Sequence, residues 1–138
     1  NFWDKRYAGA DYLFGTQPAA GLIALEPHLV AGGKTLVVAD GEGRNSVYLA
    51  SRGYDVSATD YSQVAQVKAK ALAKEAGVDV DFVLSDIYDA GWSDEAYDNV
   101  VAIFIQFVPP ERMGEIFTAL ARATRAGGTL LIHGYTPE

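Results

Sequence analysis

The chain has 138 residues, an apolar fraction of 49% and a formal net charge of −7, with 18 acidic residues against 11 basic ones. This length suits one domain with a sizeable core, and no stretch concentrates enough Lys or Arg to bind a phosphate backbone. Without cysteine, and with His28 and His133 as the only histidines, the sequence has no thiolate or histidine-rich metal site. No apolar run approaches the roughly 20 residues of a membrane span. We therefore expect a cytoplasmic protein that binds neither nucleic acid nor membrane nor metal.

The whole chain, 1–138, is expected to form a single domain. Residues 1–30 form a capping segment, rich in aromatic residues, and a short helix that Pro18 opens. Gly32 and Gly33 break the chain, and residues 34–138 then form the core.

Strands and helices alternate through the core. Short apolar runs predict strands buried on both faces, and glycines end most of the helices between them. The predicted strands are 35–39, 55–59, 78–84, 97–103 and 129–133, and the predicted helices are 45–52, 62–76 and 109–126. This alternation predicts an α/β fold with a mainly parallel sheet.

The segment that follows the first strand predicts a ligand-binding loop. Residues 40–45 read DGEGRN, and Gly41 and Gly43 allow a tight turn in which a ligand can approach the main chain. Ligands of parallel sheets bind beyond the carboxyl ends of the strands. An ordinary strand-to-helix turn is the alternative interpretation.

Acidic residues follow the second and third strands. Asp60 can accept hydrogen bonds from ribose hydroxyls, and its alternative role is a helix N-cap, which Ser62 can also fill. Asp86 and Ile87 can bind the amine and a ring nitrogen of adenine, or lie in a surface turn. Phe104, after the fourth strand, packs on the ligand or in the core.

The aromatic first segment predicts a lid. Trp3, Arg6, Tyr7, Tyr12 and Phe14 suit a flat, cationic ligand, because aromatic faces attract cations. Anchoring of a terminal segment explains any single ring equally well.

Taken together, the motifs FWDKRY (2–7), YLFG (12–15), GEGRN (41–45) and DVSATDYS (55–62) resemble small class I methyltransferases. The resembled group is the tellurite-resistance (TehB-like) and thiopurine-methyltransferase-like group. The resemblance implies a Rossmann-like, doubly wound sheet of strand order 3-2-1-4-5, with helices on both faces. It also implies S-adenosylmethionine as methyl donor and S-adenosylhomocysteine as product.

The resemblance also implies roles for particular residues. Residues 39–43 hold the methionine part of the cofactor, Asp60 the ribose, Asp86 with Ile87 the adenine, and Trp3 covers the whole. The full set of expected cofactor-binding residues is Trp3, Ala39, Asp40, Gly41, Gly43, Asn45, Asp60, Tyr61, Asp86, Ile87 and Phe104.

The sequence departs from the resembled pattern in two places. The glycine motif of the family opens with an acid and a first glycine, where this chain has Val37 and Ala39. The fold also usually has two further strands after the fifth, so we expect a C-terminally truncated core. The fifth strand, 129–133, is then an exposed edge that pairs with a later segment or with a second copy.

The expected reaction is methyl transfer to a small nucleophilic molecule. No general base stands out, because Gln106 cannot abstract a proton at neutral pH. A soft acceptor, such as a thiol or a metalloid oxyanion, needs no strong base and fits the resembled family. The alternatives are a non-catalytic module of the same fold and a nicotinamide-dependent oxidoreductase, in which Ser46 would replace the third glycine of GxGxxG.

Overall fold

The computed structural model describes residues 20–38, 43–60, 62–84, 92, 95–105, 111 and 113–135. Helices and strands alternate along these residues. The helices are α1 (Ala20–Leu25), which continues as a 3-10 turn (Glu26–His28), α2 (Arg44–Ser51), α3 (Gln63–Ala76) and α4 (Met113–Ala123). The strands are β1 (Lys34–Val38), β2 (Asp55–Asp60), β3 (Asp81–Leu84), β4 (Tyr97–Ile105) and β5 (Thr124–Tyr135).

The strands form one sheet of order β3-β2-β1-β4-β5, which confirms the expected order. Each neighbouring pair is parallel. The central strand is β1, where Thr35 lies opposite Val56 of β2 and Asn99 of β4. From β1 the chain adds β2 and β3 on one side and then β4 and β5 on the other, so the strand order changes direction between β1 and β4. In sheets of this topology, ligands bind beyond the carboxyl ends of the strands at that point.

Alternating side chains of β1 build a core on each face of the sheet. Val37 packs on one face with residues of α1 and α2, whereas Leu36 and Val38 pack on the other face with residues of α4. The first cluster is Leu22, Leu29, Val37, Leu49, Tyr54, Val56, Ala58, Val101 and Leu131. The second is Leu36, Val38, Val100, Ala102, Ile116, Leu120 and Ala123. Helices therefore cover both faces, as predicted.

The end of the last helix differs from the prediction. Gly127 and Gly128 were expected to end it, but α4 ends at Ala123 and β5 begins at the next residue. The register between β4 and β5 shifts in this stretch, and a β-carbon at Gly128 would lie 2.4 Å from the backbone oxygen of Asp98. Glycine is therefore required at position 128 because β4 and β5 approach each other closely there, and not because a helix ends there.

The third strand is shorter than the predicted 78–84. Gly77 ends α3 in the left-handed conformation, with φ at 72°, and the Val78 N–H donates to the carbonyl of Ala73 at 3.1 Å. Val78 therefore belongs to the closing turn of the helix, a Schellman-type arrangement, and the strand begins only at Asp81.

Asn99 in β4 fixes the loop that precedes β1. Its side chain is fully buried; it accepts from the Val30 N–H at 2.7 Å, and donates to the Val30 carbonyl at 2.9 Å and to Thr35 Oγ1 at 3.1 Å. A buried amide with these partners positions the loop strongly, because each unpaired polar atom would be costly.

Candidate functional site

The carboxyl ends of the strands lie at one edge of the sheet because all five strands are parallel. At this edge β2 ends at Asp60, which is paired with Leu84, the last residue of β3. Gly43, the N-cap of α2, is four residues beyond the position that follows Val38, the last residue of β1. The structure therefore places the second glycine of the predicted loop and the predicted ribose acid at the same edge.

Gly43 is the N-cap of α2 and adopts a left-handed conformation, with φ at 93°. Its carbonyl accepts from the Val47 N–H at 2.9 Å and from Ser46 Oγ at 3.3 Å. A β-carbon at Gly43 would lie 2.8 Å from the β-carbon of Ala69 in α3. Both the backbone conformation and the nearness of α3 thus require glycine here, a reason that the sequence did not reveal.

Asp60 is half-buried and fixes the turn into α3. Its Oδ2 accepts from the Ser62 N–H at 2.9 Å, and Ser62 Oγ in turn accepts from the Ala65 N–H at 3.1 Å. Ser62 is therefore the N-cap, which confirms the assignment made from the sequence. A carboxylate has about four acceptor positions, and the bond to the Ser62 N–H uses one of them.

Gln66 is a buried polar residue that the sequence did not single out. It is 6% exposed, and its Nε2 donates to the carbonyl of Val83 in β3 at 2.7 Å. Its position on the same helix as the buried Ala65, Ala69 and Ala73 is the signal that could have identified it. A polar side chain on an apolar face requires a partner when it is buried.

Two other positions of the predicted site are partly defined. Asn45 lies in the first turn of α2 and is 5% exposed. The backbone of Phe104 lies in β4, paired with Gly134 of β5. Val37, which stands where the resembled family has an acid, is a core residue with 1% exposure. That position therefore contributes packing and no carboxylate.

Several predicted site residues lie outside the described part of the chain. They are Trp3, Ala39, Asp40, Gly41, Tyr61, Asp86 and Ile87, together with Gln106.

A polar cluster links the 3-10 turn to the carboxyl end of α2, at the far end of that helix from Gly43. The Tyr48 hydroxyl donates to Glu26 Oε1 at 2.5 Å, and Arg52 Nε donates to Glu26 Oε2 at 3.0 Å. The hydrogen bond from Tyr48 is the largest cause that lowers the pKa of Glu26, and Arg52 lowers it further while burial opposes both. The same bond raises the pKa of Tyr48. This cluster stabilises the fold and lies away from the carboxyl edge of the sheet.

Within the residues that the structure describes, no three His, Asp or Glu side chains are grouped so as to hold a metal ion. None of the described helices is long and apolar enough to cross a bilayer.

A doubly wound parallel sheet with Gly43 at the start of α2 and an acid at the end of β2 is the arrangement typical of nucleoside-binding α/β domains. Residues 36–128 match the family model described as "Methyltransferase domain", which is more than half of the chain. The chain therefore belongs to the methyltransferase-domain family.

Individual relatives support the same family. The chain is 30% identical over 131 residues to a phosphatidylethanolamine N-methyltransferase of Cereibacter sphaeroides, which covers 93% of this chain and 64% of the relative. It is 31% identical over 100 residues to the "Probable S-adenosyl-L-methionine-dependent methyltransferase TehB" of Haemophilus influenzae, which covers 72% of this chain and 35% of that protein. The crystal structure of TehB from Haemophilus influenzae superposes with a TM-score of 0.71 at 25% identity, over 95% of this chain and 43% of that one. The TehB-like resemblance is thereby confirmed, and the chain spans less than two thirds of each of these proteins.

Proposed function

We propose that this chain binds S-adenosylmethionine and takes part in transfer of its methyl group to a small nucleophilic acceptor. The observation that carries the proposal is that Gly43 and Asp60 both lie at the carboxyl edge of the sheet, in a chain of the methyltransferase-domain family. The name of the relative TehB describes it as a methyltransferase that depends on S-adenosylmethionine.

The chemistry of the edge suits this cofactor. No side chain caps α2 at Gly43, and the N–H groups and dipole of a helix N-terminus favour an anion such as the methionine carboxylate. Asp60 at the end of β2 is suited to accept a hydrogen bond from a ribose hydroxyl. Since Val37 lies in the core, recognition of the methionine amine falls to backbone groups and not to an acid at that position.

When bound, S-adenosylmethionine supplies an electrophilic methyl group that an acceptor lone pair takes by in-line displacement, leaving S-adenosylhomocysteine. The residues at the edge contribute by holding the donor in a fixed orientation, because this displacement depends chiefly on alignment. Gly43 fixes the start of α2 against α3, and Asp60 fixes the start of α3 against β2. Both therefore stiffen the surface on which the donor rests.

Two classes of acceptor are compatible with this reading. The TehB-like resemblance favours a soft acceptor, a thiol or a metalloid oxyanion, which needs no general base. The name of the Cereibacter sphaeroides relative, whose match extends over 93% of this chain, favours an amine nitrogen instead. An assay with S-adenosylmethionine that carries a tritiated methyl group distinguishes the two classes. Transfer of the label to a thiol or to tellurite would indicate a soft acceptor, and transfer to phosphatidylethanolamine in vesicles would indicate an amine.

Calorimetric titration tests the cofactor itself. We expect binding of S-adenosylhomocysteine and none of NAD. Binding of NAD alone would favour the oxidoreductase. The structure argues against it, because Ser46 stands where the dinucleotide motif has its third glycine. Its side chain is fully buried and donates to the Gly43 carbonyl. Binding of S-adenosylhomocysteine without transfer to any acceptor would favour the non-catalytic module, and binding of neither would contradict the proposal.

A further inference from the structure

Ser62 is hydrogen-bonded through its hydroxyl, its carbonyl and its N–H. The hydroxyl accepts from the Ala65 N–H at 3.1 Å, and the carbonyl accepts from the Gln66 N–H at 3.1 Å. The N–H of Ser62 donates to Asp60 Oδ2 at 2.9 Å. The first turn of α3 therefore fixes Ser62, and Ser62 in turn contacts the carboxylate at the end of β2.

The start of α3 is firmly packed. Ser62, Ala65 and Ala69 are fully buried, and Ala69 lies so close to α2 that a β-carbon at Gly43 would be 2.8 Å from its own β-carbon. Gln66 in the same turn donates to the Val83 carbonyl of β3 at 2.7 Å. Because closely packed groups have little room to move, the N–H of Ser62 has a defined position and direction.

The Asp60 side chain is less constrained by packing. It is half-buried at the carboxyl edge of the sheet, and the pairing of Asp60 with Leu84 fixes its backbone without fixing its carboxylate. Such a side chain samples several rotamers unless a hydrogen bond selects one of them. The Ser62 N–H supplies a hydrogen bond of this kind from a fixed point.

We propose that Ser62 is a positioning residue for the ribose end of the cofactor site, an inference that rests on the proposed function. By holding Oδ2, Ser62 orients the Asp60 carboxylate before the ligand arrives, so that binding loses less side-chain entropy. Removal of the Ser62 hydroxyl leaves the Ala65 N–H without this acceptor and loosens the first turn, which carries the N–H that holds Asp60. Ser62 acts through Asp60 and does not contact the cofactor.

The test compares two ligands by calorimetry. S-adenosylhomocysteine has both ribose hydroxyls, whereas its 2′,3′-dideoxy analogue has neither. We expect Ser62→Ala to weaken S-adenosylhomocysteine about threefold to tenfold, the change in affinity that corresponds to loss of a helix cap. The dideoxy analogue has no hydroxyl to donate to Asp60, so its affinity should stay the same.

A double variant shows whether Ser62 acts through Asp60. In an Asp60→Ala background there is no carboxylate to orient, so the addition of Ser62→Ala should cause no further loss of affinity for S-adenosylhomocysteine. Ser51→Ala is the matched control, because it removes an exposed hydroxyl that donates to the Tyr48 carbonyl at 2.7 Å at the end of α2. It should change neither affinity.

Ser62→Gly repeats the test if Ser62→Ala does not fold, because glycine is tolerated at an N-cap and also lacks the hydroxyl. Three results would overturn the role of Ser62 and leave the proposed function in place: equal weakening of both ligands, no weakening of either, or a further loss in the Asp60→Ala background. Failure of the unmodified protein to bind S-adenosylhomocysteine would overturn the proposed function and this inference with it.

Discussion

Gly43 and Ala69 bring the start of α2 into direct contact with α3. A β-carbon at Gly43 would lie 2.8 Å from the Ala69 β-carbon and 2.9 Å from its α-carbon. Neither atom can move away as the end of a long side chain would. Gly43 is thus packed directly on the helix whose first turn Asp60 holds through the Ser62 N–H, and the two positions of the proposed cofactor site are linked through α3.

Gly43→Ala should destabilise the protein by about 2 to 4 kcal/mol, the sum of a left-handed alanine and an overpacked contact. Gly53→Ala is the matched control, because Gly53 has φ at 94° and no atom within 4 Å of the added β-carbon. It should lose only the conformational part, about 1 to 2 kcal/mol. Urea unfolding measures both losses, and addition of Ala69→Gly should recover part of the first. Equal losses in the two single variants would show that contact with Ala69 is unimportant.

Asp60→Asn should weaken binding of S-adenosylhomocysteine by about 1.5 to 3 kcal/mol, because it removes a charged acceptor from the ribose. The amide oxygen of asparagine can still accept from the Ser62 N–H, so the turn into α3 is preserved. Asp55→Asn, an exposed position at the opposite end of β2, is the control and should leave affinity unchanged. Calorimetry that finds the Asp60 variant as tight as the unmodified protein would remove Asp60 from the site.

The order of elements was predictable because it depends on patterns that are local in sequence. Apolar runs predicted all five strands, and Ser62 identified the start of α3. The predicted start of β3 was wrong because Val78 closes α3 through its bond to Ala73, whereas the predicted end of α4 was wrong because of a contact between distant residues. Gly128 was interpreted as a helix terminus because the nearness of Asp98, 30 positions earlier, is not visible in the sequence.

The site shows the same division. Gly43 and Asp60 were proposed from their places after predicted strands, and their roles toward a ligand stay predictions. The contact of Gly43 with Ala69 and the bond from Gln66 to Val83 require knowledge of how α3 packs. Polar residues within an apolar helix face deserve consideration for this reason, since their partners are found only in three dimensions.

The stability of the fold should depend on pH through Glu26. Its folded-state pKa is lowered below the ordinary 4.5, so its contribution is present above that pH and is lost as the pH falls through the folded-state value. Glu26→Gln should therefore reduce stability at pH 7 by about 1 to 2 kcal/mol, and the difference from the unmodified protein should shrink below pH 4.5. Arg52 contributes little to this difference, because its side chain is 57% exposed and solvent screens its charge.

Urea unfolding across this pH range measures the effect of Glu26. Tyr48→Phe is the partner variant, because it removes the larger cause of the lowered pKa and leaves Arg52 in place. It should show a weaker pH dependence than the unmodified protein. A stability difference for Glu26→Gln that stays constant with pH would contradict this account.

The exposed edge of β5 should pair with a later segment of the protein or, in the 138-residue chain studied by itself, with a second copy. β5 has 12 residues and pairs with β4 on one side, whereas no strand among the described residues lies on its other side. The opposite edge, β3, has only four residues, and short edge strands recruit partners poorly.

Light scattering after size exclusion should give a mass that rises with concentration above the 14.8 kDa of one chain. Ala126→Lys, which places a charge at an exposed position of β5, should return the mass to that of one chain, and Val83→Lys on the β3 edge should not. Thermal unfolding must show that both variants remain folded. A mass of one chain at every concentration, or equal effects of the two lysines, would contradict pairing through β5.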